Sequence, residues 1–543
     1  MGYDMRTGIR NGAAALVDAL AKAGVEVLFG YPGGNVVDIF DAVRTAKFRF
    51  VLGRHEQGAV HMADGYARAL GRPGVVLVTS GPGLTNAITG LGTANMDGVP
   101  LVLVCGQVPL DQIGTDAFQE ADTTGLTRAV SKHNFLVHSA DEIPETVAQA
   151  FYIATHGKPG PVVIDVPRDC QQTLTAATFP ERVSLRAYHP ESFATTSEVN
   201  RFAKLLNEAR RPVLIAGGGV IAAGAAGDVV HLAHKAGVPV VTTMMGIGTI
   251  DGDDPAALGM VGLYGSSRAR RALSAADVIV ALGVRFNDRV TEALPRRHGL
   301  RLVHVDCDPS SIDKNTTADL GIVADVKDLL TTVDSRIRPN DRAAWKREVS
   351  AFAADETALP AASGALTPQA VVETVDAVTR GAAVVVTDVG QHQLWTARHL
   401  RHVRPRQFIT SGGMGTMGFG IPAAIGAAIA RPDRPVVALI GDGGAQMTAE
   451  ELIVAAELRL PIAFVVFVNG ALGLVRQIQK ENLGARYFAT DLTSPDFMKL
   501  AAAYGLRGVR ATDAEKLSAA LKGVFRTSRP ALIVVSVDTE ATV

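Results

Sequence analysis

The chain has 543 residues, enough for three or four domains, and 47% of them are hydrophobic, which predicts well-filled cores. Its formal net charge of −1 excludes a basic field for binding nucleic acid or an anionic membrane surface. No apolar run approaches the length of a membrane-spanning helix, so we expect a soluble protein. The three cysteines, Cys105, Cys170 and Cys307, lack metal-ligand spacing and favour a reducing compartment, the cytoplasm.

An Ala-rich segment near the N-terminus predicts an amphipathic helix that stops at Gly24, with Asp18 and Lys22 interrupting its apolar residues. The same charges argue against a signal peptide. The following residues, 25–30, read VEVLFG and predict a strand. Short apolar strands then alternate with Ala-rich helical segments along the chain, which indicates repeated βαβ units.

Two polar segments, 171–198 and 338–367, have the composition of linkers. They divide the chain into residues 1–175, 190–340 and 365–543, each near the usual size of a domain. The first and third pieces share an order of helix, turn, strand, Gly-rich turn, helix and strand, whereas the central piece differs. The predicted fold class is therefore α/β, with three doubly wound parallel-sheet domains.

The central piece contains PVLIAGGGVIAAGA, which predicts a strand, a turn at Gly217, Gly218 and Gly219, and a helix. Such a turn can bring backbone N–H groups to a pyrophosphate. The pattern is not G-x-G-x-x-G, so plain packing accounts for it as well as a nucleotide-sized ligand does.

The stretch ALIGDGGAQM leaves an apolar strand through a Gly-rich turn that holds Asp442. By itself it favours a tight strand-to-helix turn in which Asp442 is a cap. The next predicted strand, however, ends in Asn469, 27 residues later, and the carboxyl ends of parallel strands meet at one sheet edge. A carboxylate and an amide oxygen there suit Mg²⁺, while Gly441, Gly443 and Gly444 would let a diphosphate approach the backbone.

This combination resembles the diphosphate- and metal-binding motif of thiamine diphosphate enzymes. Further segments, in order, are similar to the catalytic subunits of the acetohydroxyacid synthase (acetolactate synthase) family; they include FGYPGGNVVDIFDA, RHEQGAVHMADGYAR, VTSGPGLTNAITG, GKPGPVVIDVPRD, VGQHQLW and SGGMGTMGFGIPAAIGA. The resemblance implies a pyrimidine-binding, a central FAD-binding and a diphosphate-binding domain. It also implies thiamine diphosphate, Mg²⁺ and FAD as cofactors.

The resemblance assigns chemical roles to three residues of the first piece. Glu56, in RHEQGA, matches the glutamate that hydrogen-bonds N1′ of the aminopyrimidine and so promotes removal of the C2 proton. Without the family match, Glu56 would more simply pair with Arg54 at the surface. Gln119 and Gly34 match residues that face the reacting carbon.

Met417 matches the large apolar residue that bends the cofactor, and Gly415 matches the residue whose carbonyl accepts from its 4′-amino group. Further residues matched to thiamine diphosphate are Pro32, Val389, Gly390, Gln391, His392, Gly441, Gly443 and Gly444. The residues matched to the metal are Asp442, Asn469 and Ala471.

In the central piece, GVRFNDRVTE resembles the family's FAD-contacting segment. Arg289 matches the arginine that holds the second substrate's carboxylate, and Ile478 lies at a position that also contacts this substrate. The residues matched to FAD contacts are Gly217, Gly218, Gly219, Thr243, Met244, Arg285, Asp306 and Asp325.

The chain departs from the family pattern at several of these sites. Lys158 replaces an Arg, Arg168 replaces a Lys, Tyr264 replaces a His, and Asn287 replaces an Asp. Ile478 stands where the biosynthetic members have Trp. These differences bear on FAD binding and on the choice of acceptor, and leave the thiamine-binding residues unchanged.

The resemblance implies an enzyme that decarboxylates pyruvate and transfers the two-carbon unit to a second 2-oxo acid. An alternative keeps the cofactor but uses another acceptor, or only decarboxylates a 2-oxo acid. A silent paralogue acting as a binding or regulatory subunit is disfavoured by the presence of Glu56, Asp442 and Asn469. The family further implies a homodimer or homotetramer, with a possible regulatory subunit.

Overall fold

A computed structural model describes residues 9–295, 298–352 and 366–543. The described residues form three six-stranded sheets in which every neighbouring pair of strands is parallel. A short antiparallel ribbon pairs Arg10–Asn11 with Leu174–Thr175. The predicted α/β class with three parallel-sheet domains is therefore confirmed. We call the parts built around these sheets the first, central and third domains.

The first domain surrounds a sheet whose four inner strands are buried and mostly apolar, as is typical of parallel sheets covered on both faces. Across the sheet, its strands are Arg49–Leu52, Val27–Gly30, Gly74–Val78, Leu101–Gln107, Pro161–Pro167 and His133–Leu136. Its helices are Gly12–Lys22, Val37–Val43, Glu56–Leu70, Pro82–Asp97, Thr123–Thr127, Ile143–Thr155 and Arg168–Gln172, with 3₁₀ turns at Gly34–Val36, Leu110–Gln112 and Ala140–Glu142.

The central domain has its own core, formed on both faces of the second sheet. Across the sheet, its strands are Ala257–Met260, Val240–Thr242, Pro212–Ala216, Val278–Leu282, Arg301–Asp306 and Leu320–Val323. Its helices are Thr196–Glu208, Gly218–Ala222, Ala226–Ala236, Ser267–Ala275, Asp288–Thr291 and Val326–Val333, with 3₁₀ turns at Met244–Gly246, Pro309–Ser311 and Asp334–Arg336. A further helix, Ala343–Ser350, belongs to the second predicted linker and packs against this domain through Trp345 and Val349.

The third domain places the strand that precedes Asp442 in the interior of its sheet. Across the sheet, the strands are Phe408–Ile409, Val384–Thr387, Val436–Gly441, Ile462–Val468, Ala531–Ser536 and Arg507–Ala511. The helices are Pro368–Thr379, Gln391–His399, Gly420–Ala430, Asp442–Met447, Leu452–Glu457, Gly473–Leu483, Phe497–Ala503 and Ala514–Thr527, with a 3₁₀ turn at Ala449–Glu451. Since Val436–Gly441 and Ile462–Val468 are neighbours, their carboxyl ends meet at one edge, as predicted.

The predicted N-terminal helix and strand occur at Gly12–Lys22 and Val27–Gly30. The first predicted linker contains some regular structure, because Leu174–Thr175 pairs with the N-terminal ribbon and a helix begins at Thr196. Part of the second, residues 353–365, lies outside the described residues. The sheets fall inside the three predicted ranges, whose boundaries stay a prediction.

The first and third domains pack through the helices Glu56–Leu70 and Gly420–Ala430. They approach so closely that a Cβ on Gly426 would lie 1.8 Å from the Met62 carbonyl oxygen. Only glycine fits at such a contact. This packing brings the beginning of helix Glu56–Leu70 beside the third domain.

No helix of sufficient length and hydrophobicity to cross a bilayer occurs in the ranges that the structure describes.

Candidate cofactor-binding active site

Asp442 lies at the carboxyl end of strand Val436–Gly441 and is only 2% exposed. Its Oδ2 accepts hydrogen bonds from the Gly470 N–H at 2.9 Å and from the Ser494 hydroxyl at 2.8 Å. Its Oδ1 accepts the Gly443 N–H at 3.1 Å. Asp442 is the first residue of helix Asp442–Met447, and Gly441 is the cap. The carboxylate is thus held by the strand, the helix and the loop that follows the neighbouring strand.

Asn469 follows strand Ile462–Val468, and its Oδ1 accepts the Ala471 N–H at 3.1 Å. Asp442, Asn469 and Ala471 all line one cavity at this sheet edge, which we call the diphosphate cavity. A carboxylate, an amide and a backbone carbonyl form an oxygen-rich set of the kind Mg²⁺ prefers when phosphate and water complete its coordination. The described residues contain no cluster of three or more His, Cys, Asp or Glu that could hold a metal without such help.

The wall of the diphosphate cavity includes residues at the ends of four neighbouring strands. Besides the three residues already named, the predicted residues that line it are Val389, Gly390, Gln391, His392, Met417, Gly441, Gly443 and Gly444. A Cβ on Gly441 would lie 2.9 Å from the His392 ring, so only glycine fits beside this histidine. Burial lowers the pKa of His392 to about 3, which leaves the ring neutral, and its Nε2 is buried without a partner.

Gly415 lies outside the diphosphate cavity and lines a larger one of about 610 Å³, which we call the central cavity. Its φ of +66° is in the left-handed region, where glycine is favoured. The predicted FAD-contacting residues that line the central cavity are Gly218, Gly219, Thr243, Met244, Arg285, Asp306 and Asp325. Gly217 does not line it; a Cβ there would lie 2.0 Å from the Gly283 carbonyl oxygen, so this glycine permits close packing.

The two predicted substrate residues, Arg289 and Ile478, also line the central cavity. The Nε atom of Arg289 lies 3.5 Å from the Oδ2 atom of the preceding residue, Asp288, and both side chains are exposed. Ile478 is 39% exposed and shares one face of helix Gly473–Leu483 with Leu474, which lines the same cavity. The central cavity therefore extends from the central domain to the part of the third domain next to the diphosphate cavity, with Val389 and Leu474 lining both.

Glu56 begins helix Glu56–Leu70 and is 9% exposed. Its Oε2 accepts a hydrogen bond from Asn86 Nδ2 at 2.9 Å. Arg54, the alternative partner suggested by the sequence, forms its ion pair with Glu457 instead. The turn before Glu56 is held by the buried Glu451, whose carboxylate accepts the backbone N–H groups of Arg54 and His55 at 3.0 Å.

Gln119 and Gly34 lie near each other, since a Cβ on Gly34 would be 4.0 Å from Gln119 Oε1. Gln119 has a φ of +63°, an uncommon conformation for a residue with a side chain. Pro32 lies two residues before Gly34 and is exposed. None of these three residues, nor Glu56, lines the diphosphate cavity or the central cavity as formed by the described residues. The lining of these two cavities therefore comes from the other predicted residues, and the group around Glu56 lies outside it.

Two of the departures from the family pattern form ion pairs. Lys158 Nζ lies 3.3 Å from Asp308 Oδ2, and Arg168 Nε lies 3.5 Å from Asp38 Oδ2. Lys158 also lines the central cavity, together with Tyr264 and Asn287. Both substituted side chains therefore lie beside an acidic partner.

Four supporting residues were not predicted as site residues: Asn86, Glu451, Ser494 and Asp388. The buried Asp388 accepts the N–H groups of Val389, Gly418 and Gly420 at 2.8–3.0 Å, while burial raises its pKa to about 6. Like Asp442, Asp388 directly follows an interior strand, and this position in the sequence could have predicted it as a site residue. Burial likewise raises the pKa of Glu451 to about 7.

Three family profiles match the chain in order. The N-terminal TPP binding domain of thiamine pyrophosphate (thiamine diphosphate) enzymes matches residues 10–126. The central domain of these enzymes matches residues 199–333, and their C-terminal TPP binding domain matches residues 388–535.

The chain is also similar to acetolactate synthases over most of its length. It is 42% identical to the acetolactate synthase large subunit of Haemophilus influenzae, covering 95% of this chain and 92% of that protein. It is 42% identical to the acetolactate synthase isozyme 3 large subunit of Escherichia coli, covering 97% and 95%. With the acetolactate synthase of Mycobacterium bovis it shares 43% identity, covering 92% and 83%. Taken with the three-domain fold and the Asp442–Asn469 sheet edge, these matches establish that the chain belongs to the acetolactate synthase family of thiamine pyrophosphate enzymes.

Proposed function

We propose that the protein decarboxylates pyruvate and transfers the resulting two-carbon unit to a second 2-oxo acid. The observation that carries this proposal is the diphosphate cavity, where Asp442, Asn469 and several glycines meet at one sheet edge. When bound, thiamine pyrophosphate supplies a nucleophilic carbon and an electron sink for decarboxylation. The large-subunit relatives support the same class of reaction.

The residues at the sheet edge would hold Mg²⁺ and the diphosphate together. Asp442 and Asn469 offer side-chain oxygens, and Ala471 offers its backbone carbonyl. The glycines leave the backbone open to phosphate oxygens. The neutral His392 adds no positive charge, so the metal would supply most of the charge that neutralises the diphosphate.

Glu56 would hold a proton against N1′ of the aminopyrimidine. Its low exposure and its hydrogen bond from Asn86 fix the carboxyl group on a helix rather than on a mobile surface. Gln119 and Gly34 would face the reacting carbon from the same domain. Arg289 would bind the acceptor's carboxylate with its guanidinium.

We propose that two chains form the active unit. Glu56 is not among the residues that line the diphosphate cavity of its own chain, and the proposed reaction uses both. Pairing the first domain of one subunit with the third domain of another would complete the site. A homodimer or homotetramer satisfies this requirement, and the large-subunit relatives support a possible regulatory subunit.

We further propose domain boundaries at 1–175, 190–340 and 365–543, within which the three family matches fall. The three cysteines are all unpaired, which supports a reducing location such as the cytoplasm.

The direct test of the function is product identification from pyruvate with purified protein, thiamine pyrophosphate and Mg²⁺. We expect carbon dioxide and acetolactate. Release of acetaldehyde alone would instead support simple decarboxylation, and consumption of pyruvate only with an added non-2-oxo-acid acceptor would support the alternative transferase.

Ile478 should set a weak acceptor preference. A Trp would give the central cavity a broad apolar wall, whereas Ile offers less area; apolar contacts of this kind discriminate by about 1–3 kcal/mol. The alternative is that a neighbour fills the space left by the Trp and selectivity survives. Leu474 lines the cavity and is the neighbour placed to do so, whereas Phe488 is 84% exposed and does not line it. We expect little preference for 2-oxobutanoate over pyruvate, and a higher ratio of acetohydroxybutanoate to acetolactate in Ile478→Trp.

The matched control is Leu483→Trp, at the far end of the same helix and outside the cavity lining. It should leave the product ratio unchanged. Strong 2-oxobutanoate selectivity in the wild type that Ile478→Trp does not alter would contradict this assignment.

The central cavity should bind FAD. Its volume, its glycines and the Arg285 side chain fit a dinucleotide with a diphosphate. We expect yellow purified protein that releases FAD on denaturation, and a clear loss of flavin absorbance per subunit in Arg285→Gln. Arg270→Gln, an exposed arginine of the same domain, serves as the control. Active protein that is colourless and takes up no added FAD would reassign the cavity.

A further inference from the structure

A second interdomain cavity, of about 440 Å³, lies between the central and third domains. Residues 242–268 contribute one wall, and residues 369–380 and 397–403 contribute the other. It shares only Met260 with the lining of the central cavity. We call it the arginine cavity, because the side chains of Arg268, Arg380, Arg398 and Arg401 line it.

Three of these arginines have no counter-charge. In the described part of the chain, the side chains of Arg268, Arg380 and Arg398 form no hydrogen bond or ion pair. The Nε atoms of Arg268 and Arg398 are buried, whereas Arg380 is an exposed residue at the cavity. Buried polar atoms are nearly always hydrogen-bonded, because leaving a charged donor without a partner is costly.

Most of the acidic side chains near the cavity already interact with other cationic residues. Asp376 faces His402, with Oδ2 2.7 Å from the ring Nδ1. The guanidinium of Arg401 lies 2.6 Å from Asp253, which is also 2.9 Å from the other ring nitrogen of His402. Glu373 accepts a hydrogen bond from Gln369 at 2.8 Å and is the one lining carboxylate without a cationic partner among the described residues. The cavity therefore keeps an excess of positive charge.

Part of the lining is apolar, with Ile250, Leu258, Met260, Leu400 and Val403 buried. A cavity of this size accepts a small metabolite rather than a single ion. Guanidinium groups pair with carboxylate or phosphate oxygens through two parallel hydrogen bonds. A ligand that satisfies these walls has an apolar body and several anionic oxygens.

We propose that the arginine cavity binds an organic anion carrying at least two negative charges, borne on phosphate or carboxylate groups. Such a ligand would supply the partners that Arg268, Arg380 and Arg398 lack. The proposal does not depend on the proposed function, because none of these residues lines the central or the diphosphate cavity.

Calorimetric titration of the full chain, saturated with thiamine pyrophosphate, Mg²⁺ and FAD, tests the site. The probes are 3-phosphoglycerate, tricarballylate and neutral glycerol. We expect one or both anions to bind and glycerol not to bind; comparison of the two anions identifies phosphate or carboxylate as the preferred group. Arg268→Gln and Arg398→Gln should each weaken binding about tenfold or more, since each removes a charge-assisted contact. Arg510→Gln, an exposed arginine on another face, should bind as the wild type does.

Thermal unfolding separates a binding role from a structural one. If Arg398 binds a ligand, Arg398→Gln without ligand should unfold at the same or a higher temperature, because it removes a buried atom that lacks a partner. The anion should raise the unfolding temperature of the wild type only. Failure of both anions to bind, equal binding by both glutamine variants, or a lower unfolding temperature for ligand-free Arg398→Gln would overturn the proposal.

Discussion

Replacing Asp442 with alanine is expected to abolish Mg²⁺-dependent binding of thiamine pyrophosphate. The substitution removes the one carboxylate among the proposed metal ligands, where the diphosphate already adds negative charge. Loss of a residue that only supports a metal ligand typically weakens metal affinity by about 10–100-fold. Loss of Asp442 itself should cost at least that upper value. Titration calorimetry with thiamine pyrophosphate, with and without Mg²⁺, measures the effect.

Ser494→Ala provides a graded control, because its hydroxyl donates to Asp442 Oδ2 and does not belong to the proposed ligand set. Its effect should be smaller than that of Asp442→Ala. Unfolding temperatures of both variants show whether the fold is retained. Wild-type affinity for the cofactor in Asp442→Ala would remove Asp442 from the metal site.

Replacing Glu56 with glutamine should slow exchange of the cofactor's C2 proton by a factor on the order of 10² or more. Glutamine keeps the size of the side chain and can keep the contact with Asn86. It cannot act as the acid at N1′ that the proton removal requires. Exchange of the C2 proton in deuterated water, followed by NMR, reports this step without any substrate.

Glu145→Gln is a suitable control, since Glu145 lies exposed on helix Ile143–Thr155 and only accepts a hydrogen bond from Gln149. It should exchange at the wild-type rate. Cofactor affinity should change little in Glu56→Gln, which distinguishes it from the Asp442 variant. An exchange rate in Glu56→Gln equal to that of the wild type would exclude the proposed role.

The sequence predicted the sheets and the sheet edge well because their signals are local. The run before Asp442 is apolar and β-branched, and glycines mark its end, so strand and turn follow from neighbouring residues. The distance from Asp442 to Asn469 corresponds to one helix-containing crossover, which places both at one edge. These features depend on spacing along the chain.

The supporting contacts could not be predicted in the same way, because they join distant parts of the sequence. Glu451 holds the backbone of Arg54 from a separation of 397 residues, and Ser494 reaches Asp442 from 52 residues away. Nothing in the local pattern around Glu451 or Ser494 marks either of them as a partner.

Gly217 is a residue for which the sequence pattern predicted too much. The Gly-rich turn suggested that it contacts a ligand, whereas in the structure the absence of a side chain permits close packing against Gly283.

The absence of Glu56 from the lining of the diphosphate cavity, and the shared site that we propose from it, have a genetic consequence. In the proposed dimer, a subunit carrying Glu56→Gln still offers an intact sheet edge, and a subunit carrying Asp442→Ala still offers an intact Glu56. Two alleles that are each inactive alone would therefore complement each other when co-expressed, because their mixed dimers rebuild one complete site. By the same count, a mixed dimer of one wild-type and one such mutant subunit would keep one working site and lose the other, so co-expression with the wild type would halve the number of sites without poisoning the wild-type subunits.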